Sequence, residues 1–105
     1  MKLIYCPCKD EEEAETIGQK LVEEKIIACT NIFPMNSCFL WEGETQKSDE
    51  AVLLCKTTNE KLFHATQRLK EIHSYKIPAI IVIDATVNKE YEDWMRQTMS
   101  NETQN

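Results

Sequence analysis

His73-Ser74-Tyr75-Lys76-Ile77-Pro78-Ala79-Ile80-Ile81-Val82-Ile83 is the stretch that decides the fold. Its first half is polar and carries an imidazole and a phenol. Its second half is apolar and β-branched, the composition of a buried strand. Just upstream, Thr57 and Glu60 have capping-box spacing, and Leu62, Ala65, Leu69 and Ile72 recur on one helical face. The stretch therefore reads as a helix end delivered onto a strand over 77–84. Pro78 is acceptable at a strand start, where its missing N–H matters least.

Working outward, residues 2–8 read as a first strand. Asp10 caps a helix with Glu13 as its capping-box partner, and Glu11, Glu12 and Glu13 suit the positive end of the helix dipole. Ala14, Ile17, Leu21 and Val22 follow at helical spacing. Residues 26–33 form an apolar, β-branched strand. Pro34 interrupts it and argues for a bulge or an edge position. Cys38 to Trp41 resume the strand, Glu42-Gly43-Glu44-Thr45 turns, and Ala51-Val52-Leu53-Leu54-Cys55 returns. Asn88 caps a short last helix with Tyr91, Trp94, Met95 and Met99 on its apolar face.

The order is β-α-β-β-α-β plus a C-terminal helix. This predicts an α+β, ferredoxin-like split β-α-β fold: one antiparallel sheet with its helices on one face. Residues 1–99 make one domain and 100–105 a polar tail. Strands 26–33 and 79–83 are apolar at consecutive positions, so both of their faces ask for cover. A chain of 105 residues with its helices on one side lacks material for the second face, which points to oligomerisation.

Charge narrows the partners. Twelve Lys and Arg stand against eighteen Asp and Glu, a net charge of −6. Nucleic-acid binding needs basic groups to displace phosphate counterions, so that role is not expected. No apolar run of membrane-spanning length occurs, and no signal peptide is evident. The chain reads as cytoplasmic. With only two glycines, it has no Gly-rich phosphate loop.

Five cysteines, an odd number without dense spacing, read as thiols and not as a disulfide framework. In Cys6-Pro7-Cys8, positions i and i+2 of a strand share a face, so both sulfurs could meet one soft metal ion. They could equally be two small strand residues. Cys29 and Cys55 read as core thiols, while Cys38 reads as exposed. His64 and His73 lie nine residues apart, on opposite sides of their helix, and cannot chelate one ion together. His73 is either a cation at the helix C-terminus or a ligand contact. Trp41, near the hairpin tip, either packs or lines a cleft. Glu50 and Lys56 share a strand face but stand about 20 Å apart. No catalytic triad can be composed, and no enzymatic reaction is assigned.

Taken in order, Ile27-Ala28-Cys29-Thr30-Asn31, Trp41-Glu42-Gly43, the stretch from Glu50 to Lys56-Thr57, the stretch from His73 to Pro78, and Tyr91-Glu92-Asp93-Trp94 resemble the CutA divalent-ion tolerance family. The resemblance implies a ferredoxin-like subunit in a homotrimer and a link to copper, Cu(II), or other divalent cations as non-obligatory ligands. It implies metal contacts at His73, Cys6 and Cys29. It also implies an intersubunit cleft lined by Trp41, Glu50, Lys56 and Tyr75. The chain departs from the family at Ser74, where proline is usual, and in its Cys-Pro-Cys run. The function expected is divalent-cation tolerance by a metal-binding trimer. The alternatives are a PII-like regulatory module binding a small ligand between subunits, and a scaffold trimer for an unidentified partner protein.

Overall fold

Alternation along Lys2–Cys8 sets the layers in the computed structural model, which describes residues 1–100. Ile4, Cys6 and Cys8 are fully buried, while Leu3, Tyr5 and Pro7 are only partly so. This strand, β1, therefore turns its even-numbered side chains to the core. The other elements are α1 (Glu11–Glu23), β2 (Cys29–Trp41), β3 (Glu44–Thr57), α2 (Leu62–Ile72), β4 (Ile81–Asp84) and α3 (Lys89–Thr98). The sheet order is β2-β3-β1-β4, and every neighbouring pair is antiparallel. That is the interleaved split β-α-β arrangement expected from the element order.

The capping at Asp10 is as expected, with a shifted return arm. Glu13 N donates to Asp10 Oδ1 at 2.8 Å, but Glu13 Oε1 accepts from Lys9 N at 3.0 Å, one residue before the cap. The helix ends in a Schellman motif: Ile26 N donates to Leu21 O and Lys25 N to Val22 O, with Lys25 at φ 59°. Ala14, Ile17, Leu21, Ala65 and Leu69 from the two long helices meet Ile4, Cys6, Leu53 and Cys55 of the sheet in one core. A second, smaller cluster joins Met95 of α3 and Met99, at its C-terminal cap, to Ala28.

Four expectations need correction. First, of the bulge or edge position that Pro34 argued for, the edge holds and the interruption does not: β2 is an edge strand that pairs with β3 without a break from Cys29 to Trp41, and Pro34 faces Ala51. As an edge strand, β2 has donors on only one side to supply, so the proline is accommodated. Second, Thr57 is not a helix cap. It ends β3, and its hydroxyl donates to Ile26 O at 2.8 Å, while the hydroxyl of Thr58 accepts from Lys61 N. Third, β4 begins at Ile81, not 77. Continuing its register toward the N-terminus would set Pro78 against Cys8 and Ala79 against Pro7, and neither proline has an N–H to give. Fourth, Trp94 is half exposed and leans on Tyr91 at 5.3 Å, at the rim of the apolar stripe instead of inside it.

The hairpin turn at Glu42 and Gly43 has φ of 51° and 81°, the two-residue geometry that matches strand twist. The long hairpin stretches the chain to 55 Å. On the sheet face away from α1 and α2, Phe33, Ile81 and Ile83 remain 41–48% exposed in the single chain. This is the uncovered apolar face foreseen from the sequence. Ser100 is tied to the body, its carbonyl accepting from Lys25 Nζ at 3.3 Å. The remainder of the expected 100–105 tail lies outside the described residues.

Candidate metal and ligand site

The register puts chemistry on both sides of one strand end. Cys6 and Cys8 pair with Leu53 and Ala51 and face the helices; Pro7 between them pairs with Val52 and faces the open side. At the end of α2, His73 leaves helical geometry with ψ 141° and turns its ring back onto β1. The result is a buried group of Cys6, Cys8 and His73 whose possible ligand atoms all lie within 4.8 Å of one another.

Both imidazole nitrogens are occupied. Nδ1 accepts the backbone N–H of Tyr75 at 3.0 Å, so in the neutral ring the proton sits on Nε2, which donates to Pro7 O at 2.8 Å. The thiols lie beside one another and make long contacts to carbonyls, Cys6 to Pro7 O at 3.9 Å and Cys8 to Cys6 O at 3.7 Å. The thiol pair, burial and nearby carboxylates push the Cys8 thiol far above its usual range. Beside the group, on α1, Glu13 Oε2 accepts the Ser74 N–H at 3.2 Å. Burial opposes ionisation of Glu13. The hydrogen bonds from Ser74 and Lys9 and the proximity of His73 outweigh it and hold the carboxyl below its ordinary value.

On the opposite face, a cavity of about 670 Å³ is lined by Trp41, Phe39, Glu50, Tyr75, Lys76 and Ile77, among others. The Tyr75 phenol donates to the Glu50 carboxylate at its wall. Burial, and then that bond to a carboxylate, raise the phenol well above its ordinary range.

The structure thus brings together Cys6 with His73, and Trp41 with Glu50 and Tyr75. It does not bring Cys29 to the thiol–imidazole group. Cys29 pairs with Lys56, which pairs with Leu3, so its side chain lies on the open face, opposite Cys6. Nor is Cys29 a core thiol, being only partly buried; Cys55 is one, with burial pushing it up to about 12. Lys56 is absent from the cavity lining and sits 5.5 Å over the ring of Tyr91. Cys8, offered with Cys6 as a possible soft-metal pair but absent from the contacts the resemblance implies, joins the group, and Glu13 beside it was not read from the sequence. The i, i+2 parity of Cys-Pro-Cys signalled Cys8, whereas nothing local signalled that Glu13 would reach Ser74.

A split β-α-β domain with an imidazole–thiol group on one side of its central strand and an aromatic, polar cavity on the other defines the class. The chain belongs to the CutA1 divalent ion tolerance protein family, whose profile matches residues 2–98. It is 39% identical over 97 residues to the divalent-cation tolerance protein CutA of Archaeoglobus fulgidus, covering 91% of this chain and 95% of that one. The solved structure of that protein, described as periplasmic, superposes with a TM-score of 0.91 at 38% identity, covering 95% and 100% of the two chains. The CutA of Thermus thermophilus is 42% identical over 98 residues, covering 91% and 95%. The apo structure of a PII-like protein CutA from Nostoc sp. PCC 7120 superposes at 0.88 with 31% identity, covering 95% and 98%.

Proposed function

We propose that this protein serves divalent-cation tolerance by binding metal ions, copper among them, as a homotrimer in the cytoplasm. One observation carries the reading: His73, Cys6 and Cys8 present their ligand atoms within 4.8 Å in a buried group. Imidazole and thiolate are the donors that suit copper. Kinship with divalent-cation tolerance proteins supports the biological role. The exposed Phe33, Ile81 and Ile83 support assembly through the open sheet face. Free cysteines are compatible with a reducing compartment. No helix among the described residues is long and apolar enough to cross a membrane. The metal is a ligand the protein responds to, and no reaction is assigned.

The test is calorimetric titration of Cu(II) into reduced, metal-free protein with His73→Ala alongside, and thiols assayed afterwards. Saturable binding that the variant loses supports the site. Undiminished binding in the variant overturns it.

A second reading rests on the cavity bounded by Trp41, Glu50 and Tyr75 and on similarity to the PII-like protein from Nostoc. On that reading the protein is a regulatory module for a small ligand held between subunits. A thermal-shift screen of metabolites separates the two, since a ligand of the native state raises the midpoint.

A further inference from the structure

We propose that Cys6, Cys8 and His73 form a three-coordinate site for a monovalent thiophilic cation, Cu(I), with Cys8 the donor that sets this preference. The inference rests on the metal-binding reading above and names the ion class the site takes.

Three features of the group lead there. The first is the donor set. Two sulfurs and one imidazole nitrogen are soft, and such sites select Cu(I) over the oxygen-loving cations. The second is the number of donors. A closed zinc site needs four ligands. Glu13, which approaches from α1, lies outside the group and has both carboxylate oxygens engaged by the backbone N–H groups of Lys9 and Ser74. The third is location. Cys6 and Cys8 are fully buried and His73 nearly so, which withholds the water that Cu(II) or Zn(II) would recruit to complete its shell.

Cys8 is available for this role because its sulfur, packed in the core, is held to the backbone only by a long contact to Cys6 O. It is the third residue of an i, i+2 pair whose central Pro7 turns to the opposite face, so the two sulfurs lie side by side. The S–H contacts to backbone carbonyls, at 3.7 and 3.9 Å, are weak ones to give up. Ligation by both sulfurs releases two thiol protons to solvent. Ligation by the imidazole exchanges one of its two hydrogen bonds, to Tyr75 N or to Pro7 O, for the metal. The segment that would admit the ion is short and open: Ser74, Lys76 and Ile77, next to His73, are exposed.

The experiment is an anaerobic competition of the reduced protein against bicinchoninate for Cu(I), with X-ray absorption at the copper edge. Cys8→Ser and Cys29→Ser are run alongside, and Cu(II) titrations use the same preparations. The expected result is a single Cu(I) per chain bound by two sulfurs and one nitrogen. Cys8→Ser should lose one sulfur and about 100-fold or more in affinity, because even partners behind the ligands are worth 10–100-fold. Cys29→Ser should match the wild type. Equal Cu(I) affinity in wild type and Cys8→Ser, or fewer than two sulfurs on wild-type copper, overturns the proposal. If His73-dependent Cu(II) binding persists in that case, the broader metal function stands without it; if wild type binds neither ion, both fall. Should a buried serine hydroxyl unfold the chain, as circular dichroism would reveal, Cys8→Ala makes the same comparison.

Discussion

The backbone N–H of Tyr75 donates to Nδ1 of His73 at 3.0 Å, and the two rings stand 4.8 Å apart, tilted by 51°. These two residues connect the faces of the sheet. The ring of His73 looks to Cys6 and Cys8 on the helix side. The phenol of Tyr75 reaches Glu50 in the cavity on the open side. A ligand that recruits Nδ1 of His73 must release the Tyr75 backbone. A single hydrogen bond thereby joins the imidazole on one face to the residue whose phenol lies on the other.

His73→Ala should destabilise the folded chain by about 2–3 kcal/mol. It leaves Pro7 O without its donor and opens space among buried side chains. Urea unfolding measures this. His73→Gln, whose amide can still donate, should recover part of the loss. Equal losses for the two variants would mean that Pro7 O does not depend on a donor here.

Tyr75 should ionise later than an ordinary phenol. Its burial and its bond to Glu50 raise the folded-state value above the ordinary 10.0. A folded value above the unfolded one favours the native state below about pH 10. That advantage is lost as pH rises from the unfolded value through the folded one. Spectrophotometric titration should show a late phenolate component that disappears in Tyr75→Phe. A wild-type curve identical to that variant apart from amplitude would contradict the placement.

Glu13→Gln should cost about 1 kcal/mol, because one amide oxygen cannot replace two carboxylate oxygens that accept from Lys9 and Ser74. The carboxyl is held below its ordinary 4.5, so its contribution is complete above that pH. It disappears as pH falls through the lower folded value. The difference between wild type and variant should therefore narrow in acid. A gap independent of pH would rule out an ionised Glu13 as its source.

Gly18→Ala should fail to give the usual gain of about 1 kcal/mol for alanine inside a helix. A Cβ there would meet Thr30 Cγ2 at 3.0 Å and Leu53 Cδ1 at 3.2 Å, where α1 crosses the sheet. A net loss of about 1 kcal/mol in thermal or urea unfolding is expected. A stabilised variant would show that Thr30 can rotate away at no cost.

Local order was legible because it depends on neighbours in the chain. The spacing of Leu62, Ala65, Leu69 and Ile72 yields α2, and Asp10 with Glu13 opens α1 as read. The shared face of Cys6 and Cys8 follows from strand parity alone. Errors fell where pairing partners decide. The start of β4 depends on Pro7 of a different strand, and the passage of β2 through Pro34 depends on which edge of the sheet it occupies. Placement of the site was of the second kind. Sequence could offer His73, Cys6 and Cys29 as donors, but only register separates Cys29 from Cys6 across the sheet and carries Lys56 away to Tyr91. It took tertiary contacts over 61 and 66 residues, Glu13 to Ser74 and Pro7 to His73, to close the thiol–imidazole group. Periodicity and caps are local and additive along the chain, so the sequence by itself determined the element order and the split β-α-β fold. Which donors meet is a property of pairing across the sheet, and only the tertiary structure decided it.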